Sequence, residues 1–153
     1  MAKFVYKFET ILNLKVQMED SLKNELGKAY KKLEHEKNKL LALENERKDL
    51  ISDFNQKSST GVSAGKLREY GSYIALVKDR IVYQKDNVNY SQSVVDKCKE
   101  RLIKAVQEKE MFEKLKDKQY KGYVKEQFKK DQKLVDEIVS YKQNKLLAGD
   151  KNG

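Results

Sequence analysis

Residues 67–102, LREYGSYIALVKDRIVYQKDNVNYSQSVVDKCKERL, contain an apolar residue at every seventh position without a miss. A repeat of seven is typical of an α-helix that packs against another helix along a coiled-coil seam, because it keeps one stripe of the helix on the contact side. The first series consists of Leu67, Ile74, Ile81, Val88, Val95 and Leu102, and its companion series consists of Tyr70, Val77, Gln84, Ser91, Cys98, Ala105 and Phe112.

The first part of the chain carries a second seven-residue repeat, and upstream of it an apolar stripe is predicted to continue with a small drift. Two such repeats predict two helices that face each other along their apolar seams. One series consists of Leu26, Leu33, Leu40, Arg47 and Phe54, the other of Leu22, Ala29, Glu36, Leu43 and Leu50, and the upstream stripe of Phe8, Ile11, Met18 and Leu22.

Residues 57–65, KSSTGVSAG, separate the two repeats. Ser, Thr and Gly cluster there and the charges vanish after Lys57, which indicates a loop. Ser63 is predicted to cap the helix that follows, because a serine hydroxyl can accept a hydrogen bond from a free N–H group of the first turn. We therefore expect helix 1 over about residues 5–57, a loop over 58–65, helix 2 over about 64–146 and a flexible tail over 147–153.

These elements predict an all-α fold, a long two-helix antiparallel coiled-coil hairpin that forms a single domain over residues 1–153. A helix of ~80 residues is ~120 Å long, and it cannot fold back into a globule without Pro or Gly. The composition agrees, since the chain contains no Pro and its 37% of charged residues exceeds the about 25% of ordinary globular domains. One loop between two seamed helices favours the antiparallel arrangement.

Catalytic or metal-binding chemistry is not indicated by any residue pattern. The only histidine, His35, falls at a solvent-facing position of the heptad, and the only cysteine, Cys98, falls at a seam position typical of a buried thiol. Nothing resembles a glycine-rich phosphate loop, and a hairpin of this kind offers no enclosed pocket. We expect no enzyme activity, no catalytic residue, no cofactor and no metal.

The net charge of +9 arises from 33 basic and 24 acidic residues interleaved along the chain. A nucleic-acid-binding protein usually concentrates its basic residues on one face, so we expect no nucleic acid. The most basic segment, Lys114 to Lys133, is either a solvated helix face or a surface for an acidic protein or anionic lipid. No stretch approaches the ~18 apolar residues of a membrane span, and no signal peptide is indicated, which predicts a soluble cytoplasmic protein.

Three segments hold more apolar residues than one seam needs: residues 4–14, 70–77 and 134–147. The two termini could pack on each other, or the seam could be locally wider. Alternatively these segments bind partner proteins, because large apolar patches are rarely left in water. The nearly uncharged residues 83–93 are a further, weaker candidate for a contact surface.

Several phrases of the sequence resemble the family of the flagellar export protein FliJ. The opening FVYKFETILNL at residues 4–14 is similar to the start of that family, and residues 61–81 are similar to its hairpin tip. Phe112 to Leu115 and Lys133 to Ile138 resemble its C-terminal phrases. Each phrase is weak alone, but their order, spacing and the chain length fit the family together.

The resemblance implies a non-enzymatic coiled-coil stalk in flagellum biogenesis and motility, located at the cytoplasmic face of the membrane at the flagellar base. Its implied partners are the hexameric ATPase of the type III export apparatus, the membrane export gate and the export chaperones. Tyr73 and Val77 match the gate-contacting residues of the family, with Leu43 and Leu50 on the facing helix. Arg80 and Glu46 depart from the apolar residues expected beside them.

The longer helix 2 is predicted to extend beyond the start of helix 1 and to insert into the ATPase ring. Alternative functions are the equivalent stalk of a virulence type III secretion system, a generic coiled-coil scaffold and a nucleic-acid-binding hairpin. The phrase FETIL favours the flagellar version. The residues expected to contact the ATPase are Phe4, Phe8, Leu134, Val135, Ile138 and Val139.

Overall fold

A computed structural model of the chain describes residues 3–151 and the side chains of residues 3–149. These residues form two helices, α1 over Glu9–Thr60 and α2 over Ala64–Lys151, and no strand occurs among them. Tyr73 on α2 bonds to Glu46 on α1, and Arg101, further along α2, bonds to Glu25, which lies earlier in α1. The helices are therefore antiparallel. The prediction of an all-α, two-helix hairpin is confirmed.

The start of α1 lies later than predicted, at Glu9 rather than about residue 5. Tyr6 donates a hydrogen bond to the backbone oxygen of Phe112, and the ring of Phe8 also lies against Phe112, with centroids 6.2 Å apart. Residues two apart cannot share one face of a helix. The segment before Glu9 is therefore not helical, because Tyr6 and Phe8 both contact the same residue of α2.

The end of α1 extends three residues beyond the predicted position, to Thr60. The hydroxyls of Ser59 and Thr60 both donate to the carbonyl of Gln56, at 2.8 and 3.2 Å, so these residues bond back to the helix and do not break it. The chain reverses at Gly61, whose φ of 84° lies in the left-handed region that favours glycine.

The connection between the helices is correspondingly shorter than the predicted loop over 58–65, since only residues 61–63 lie between α1 and α2. The N–H of Val62 bonds to the carbonyl of Lys57 at 3.4 Å, which is the six-to-one bond of a Schellman cap. Ser63 precedes α2 and its hydroxyl accepts a bond from the N–H of Lys66 at 3.4 Å. The predicted serine cap is therefore present.

The C-terminal end of α2 also differs from the prediction. The helix continues to Lys151, so residues 147–151 are helical where a tail was expected beyond about residue 146. Lys, Leu and Ala are good helix formers and no Pro follows, which explains the continuation. The last two residues of the predicted tail lie outside the described part of the chain.

The chain divides into two units by its internal contacts, residues 18–105 and residues 1–17 with 106–153. The single-domain organisation therefore remains a prediction. In the first unit the buried side chains follow the predicted heptads closely. They are Glu19, Leu22, Leu33, Val77, Ile81, Gln84, Ser91, Val95, Cys98 and Ala105.

The drift predicted upstream of Leu22 is wrong. Ile11 and Met18 are exposed, whereas Leu12 and Glu19 are buried. Leu12 lies fourteen and Glu19 seven positions before Leu26, so the strict heptad continues toward the start of α1. Apolarity alone misplaced the stripe, because the strict repeat includes a glutamate, Glu19, whose carboxylate forms a 3.0 Å ion pair with Lys23.

Candidate functional site

The surface beside the turn contains the four residues expected to contact an export gate. Tyr73 is 40% exposed, and its hydroxyl donates a 2.7 Å hydrogen bond to Glu46 on α1. Val77 is fully buried, with 0% exposure, in the seam. Leu43 and Leu50 are half-buried.

Gln84 bonds to the backbone oxygen of Glu36 at 2.9 Å, which sets the register of the seam in this unit. One heptad nearer the turn, the same register places Leu43 opposite Val77, and two heptads nearer it places Leu50 opposite Tyr70. Leu43, Leu50 and Val77 thus belong to the seam. Of the four residues expected to contact a gate, Tyr73 alone is exposed.

The environment of Tyr73 favours its neutral form. The hydrogen bond to Glu46 and the negative charge of that carboxylate raise the pKa of the tyrosine hydroxyl above its ordinary value. Glu46, which stands where the resemblance implied an aromatic residue, therefore orients the Tyr73 ring across the junction of the two helices. The exposed side chain of Leu76 extends the apolar surface on the same side.

A groove of about 340 Å³ opens next to this surface, lined by Leu50, Lys57, Lys66, Glu69, Tyr70 and Tyr73. Lys57 donates a hydrogen bond to the Tyr70 hydroxyl, and this bond raises the pKa of the Lys57 ammonium. Both helices thus contribute polar side chains to the walls of the groove. Its mixed lining suits a protein side chain better than a buried small molecule.

The first residues of the chain form an aromatic clasp, consisting of Phe4, Tyr6, Phe8, Phe112, Tyr120 and Tyr123. The Phe4 ring lies between two tyrosines, with centroids 5.3 Å from Tyr120 and 5.4 Å from Tyr123. Tyr6 is buried and its ring lies 5.9 Å from that of Phe8. Such ring pairs add about 0.5–1.5 kcal/mol each beyond the area that they bury.

Ion pairs support the clasp from the first turns of α1. Lys116 bridges to Glu9 at 2.8 Å, and Lys15 bridges to Glu108 at 2.7 Å. Glu9 also lies in the first turn of α1, where the helix dipole favours a negative charge. Phe4 and Phe8, expected to contact an ATPase, are therefore half-buried within their own unit.

The last part of α2 has no covering at all within the described chain. Every residue from 128 to 149 is exposed. Leu134, Val135, Ile138 and Val139 are among them, at 57%, 53%, 48% and 48% exposure. Their spacing of one, three and four residues places them on one side of the helix, so they form a continuous apolar stripe.

Sequence reasoning missed the partners of the N-terminal rings. Tyr120 and Tyr123 contact the Phe4 ring, although the predicted series of α2 end at Leu102 and Phe112. Tyr123 lies on the continuation of the first series, 21 residues after Leu102, whereas Tyr120 lies off both series. Their spacing of three, which puts two aromatic rings on one helix face, was the available signal.

No group of three His, Cys, Asp or Glu side chains gathers in the described part of the chain. Neither α1 nor α2, as far as they are described, contains a segment long and apolar enough to cross a membrane.

Comparisons with known proteins agree with these features. A family described as "Flagellar FliJ protein" matches residues 4–145. The flagellar FliJ protein of Bacillus subtilis (strain 168) is 24% identical over 135 residues, which are 88% of this chain and 92% of that protein. The solved structure of a putative YscO homolog from Chlamydia trachomatis is similar in fold, with a TM-score of 0.69 and 22% identity over 89% of this chain and 93% of that chain.

The family match covers both helices, the turn and the aromatic clasp. It therefore confirms the resemblance inferred from the N-terminal, turn and C-terminal phrases. The chain belongs to the FliJ family of flagellar proteins, which are non-catalytic components of type III protein export.

Proposed function

We propose that this chain is the stalk of the flagellar export apparatus and connects the export ATPase hexamer with the membrane export gate and the export chaperones. It acts at the cytoplasmic face of the membrane at the flagellar base. The observation that carries the proposal is the uncovered apolar stripe of α2, Leu134, Val135, Ile138 and Val139. A single helix with such a stripe is suited to enter a hole lined by other subunits.

The geometry of the stripe supports the proposed ATPase contact. Burial of apolar surface stabilises association by roughly 25 cal/mol per Å², so four half-exposed aliphatic side chains offer a substantial binding contribution. Phe4 and Phe8 contribute from the clasp, which holds the N-terminal segment against α2. The lysines between Lys114 and Lys133 would meet acidic groups around the ring entrance.

The gate contact is assigned to the surface beside the turn, with Tyr73 as its accessible aromatic residue. Val77 has no exposed surface, so its contribution is to support the Tyr73 ring from within the seam. Leu43 and Leu50 support it from α1 in the same manner. Tyr73, which is hydrogen-bonded to Glu46, is the residue that contacts the gate.

A pair of truncated and substituted proteins tests the ATPase contact. Truncation after Gln127 removes the stripe and leaves every residue of the clasp, and Val135→Ser with Ile138→Ser reduces the apolarity of the stripe without changing its charge. Both proteins are expected to lose ATPase binding, measured by co-sedimentation with the purified hexamer, and stimulation of ATP hydrolysis. The matched control is Lys133→Ser with Asp136→Ser, which changes neighbouring exposed residues and should bind normally.

The gate contact is tested separately with Tyr73→Ala, which should weaken binding to the purified gate domain at least tenfold and leave ATPase binding unchanged. Tyr83→Ala, an exposed tyrosine on the same helix, is the control. Normal ATPase binding by the truncated protein would contradict the insertion model. Normal gate binding by Tyr73→Ala would contradict the assignment of the turn surface.

A further inference from the structure

One side of the unit formed by residues 18–105 combines cations and tyrosines in two rows that contain no acidic residue. On α1 the exposed residues Lys28, Lys32, His35 and Lys39 follow each other at spacings of four, three and four. Such spacing places them in one row along the helix. A parallel row on α2 follows the same spacing of three and four, and it consists of Tyr83, Asn87, Tyr90 and Val94. We refer to these two rows as the lysine–tyrosine face.

Contacts across the helices show that the two rows lie on the same side. Lys32, Tyr90 and Val94 line one groove together with Ala29 and Ser91, with a volume of about 200 Å³. Tyr83 and Tyr90 expose 69% and 68% of their surface, which is far more than a tyrosine that supports the seam. The face therefore consists of two exposed tyrosines and a small groove on α2, beside a row of cations on α1.

A hydrogen bond and an ion pair between the helices mark the two ends of the face. Toward the turn, Glu46 accepts the hydrogen bond of Tyr73, and at the other end Glu25 pairs with Arg101 at 3.2 Å. Between these two pairs the seam contains the carboxylate of Glu36, which is half-buried and hydrogen-bonded to Gln84.

The charge environment of Glu36 agrees with a cationic face. Its pKa is lowered mainly by the hydrogen bond from Gln84, and further by the positive charges of Lys39, His35 and Lys32. These side chains thus lower the pKa of a carboxylate in the seam. In the described part of the chain no carboxylate forms a short-range ion pair with them. None of Lys28, Lys32 and Lys39 has an ion pair among those that the structure describes.

We infer that the lysine–tyrosine face binds an acidic, amphipathic α-helix of a partner protein. The cation row spans 12 residues, from Lys28 to Lys39, and a rise of ~16 Å, which corresponds to about three turns of an added helix. Rows at a spacing of three and four are complementary to the ridges of another helix, and the groove beside Tyr90 accepts one apolar side chain from it. Carboxylates of that helix would then face Lys28, Lys32 and Lys39.

This surface differs from the two contacts of the proposed function, because it includes neither Tyr73 nor the stripe of α2. A nucleic acid would also be attracted by cations. The row contains lysine and histidine in place of the bidentate arginines that recognise phosphate, and its regular helical spacing favours a protein helix. A second copy of this chain is a poor occupant, because the chain carries a net charge of +9.

The test uses the full chain and a fluorescein-labelled synthetic peptide as the probe. The peptide is a four-turn helix with leucines at spacings of three and four and glutamates beside them, and a lysine-for-glutamate version is its counterpart. Fluorescence anisotropy is expected to show saturable binding of the acidic peptide only. The variant Lys28→Glu with Lys32→Glu and Lys39→Glu should weaken that binding at least tenfold.

The matched control is Lys37→Glu with Lys78→Glu and Lys85→Glu, which makes the same charge change at exposed positions on the other side of the two helices. It should bind the peptide within about twofold of the unchanged chain, as expected for removed charges that are distant and screened. Tyr83→Ala with Tyr90→Ala should weaken binding without altering the net charge, which separates a built surface from general electrostatic attraction.

Four results would overturn the inference. They are no binding of the acidic peptide, an equal loss in the control variant, tighter binding of a single-stranded oligonucleotide that depends on the same three lysines, or self-association that the three substitutions abolish. Circular dichroism of each variant establishes that the helices are intact. Binding of the ATPase and the gate domain should be unchanged in the variant, so failure of this inference is distinct from failure of the proposed stalk function.

Discussion

At the scale of single residues, polar side chains in the seam are the most informative. Gln84 is buried and bonds to both the backbone and the carboxylate of Glu36. A coiled coil tolerates such a layer at a cost in stability, and the layer specifies the register. Shifting α2 by one heptad would leave Gln84 opposite an apolar residue and its amide unpaired.

Replacement of Gln84 by Leu should lower the melting temperature at neutral pH, because the carboxylate of Glu36 loses its donor. The double variant Glu36→Leu with Gln84→Leu should regain or exceed the original stability, since an apolar layer replaces the polar one. Thermal unfolding followed by circular dichroism measures both. Gln107→Leu, at an exposed position, is the control. A double variant less stable than the single variant would contradict this account.

The same pair predicts a pH dependence. The pKa of Glu36 is lowered in the folded chain, chiefly by the Gln84 hydrogen bond, so the folded state favours the ionised carboxylate. Its contribution to stability is present above the unfolded pKa of about 4.3 and is lost as the pH falls through the lower folded value. The stability difference between the unchanged chain and Gln84→Leu should therefore shrink in acid. A difference that stays constant down to pH 2 would contradict the assignment.

Cys98 is buried in the seam, with 8% of its surface exposed, as its heptad position predicted. Native protein should react slowly with a thiol reagent, and denatured protein should react at once. Cys98→Ala should cost about 1 kcal/mol of folding free energy, because it removes one buried heavy atom. Rapid labelling of the folded chain would show that the seam opens at this layer.

At the scale of the elements, the turn depends on one backbone conformation. Gly61 has a φ of 84°, and the Schellman cap from Val62 to Lys57 requires that conformation. Gly61→Ala should destabilise the chain by about 1 kcal/mol, although a Cβ there would meet no other atom within 4 Å. Gly71→Ala is the matched control, because Gly71 lies inside α2 with equal free space. It should stabilise the chain by about 0.5–1 kcal/mol.

Both substitutions are compared by chemical denaturation, where equal slopes would show that only the folding free energy has changed. If Gly61→Ala were neutral, the helices would be held by their seam irrespective of the cap. If Gly71→Ala were destabilising, the helix interior at Gly71 would be under a constraint that its surroundings do not show.

At the scale of the whole molecule, the parts of the chain differ in whether they bury side chains. The seam and the clasp bury side chains, whereas residues 128–149 bury none. Truncation after Gln127 should therefore leave the midpoint of thermal unfolding nearly unchanged and reduce the helical signal only by the removed length. A loss of several kcal/mol would mean that the segment packs on the rest of the chain.

Much of this organisation is determined by the sequence by itself. The heptads of residues 67–112 and 22–54 and the absence of proline determine two facing helices, because only a helix returns an apolar side chain to one side every seven residues. The glycine and serine cluster determines that there is one reversal between them. The burial of Cys98 and the exposure of His35 follow directly from their places in that repeat.

The tertiary structure alone decided the details that depend on partners across the seam. Val77 lies in the predicted seam series and was also expected to contact a gate, and the structure shows that α1 covers it so completely that no surface remains for a direct contact. Glu19 is buried although it is polar and lies outside the predicted series, because the strict heptad continues toward the start of α1. The helix starts at Glu9 and not at residue 5 because Tyr6 and Phe8 contact Phe112. Phe112 lies more than a hundred residues later in the sequence. Local sequence carries periodicity, whereas contacts between distant residues determine which members of a periodic stripe are covered.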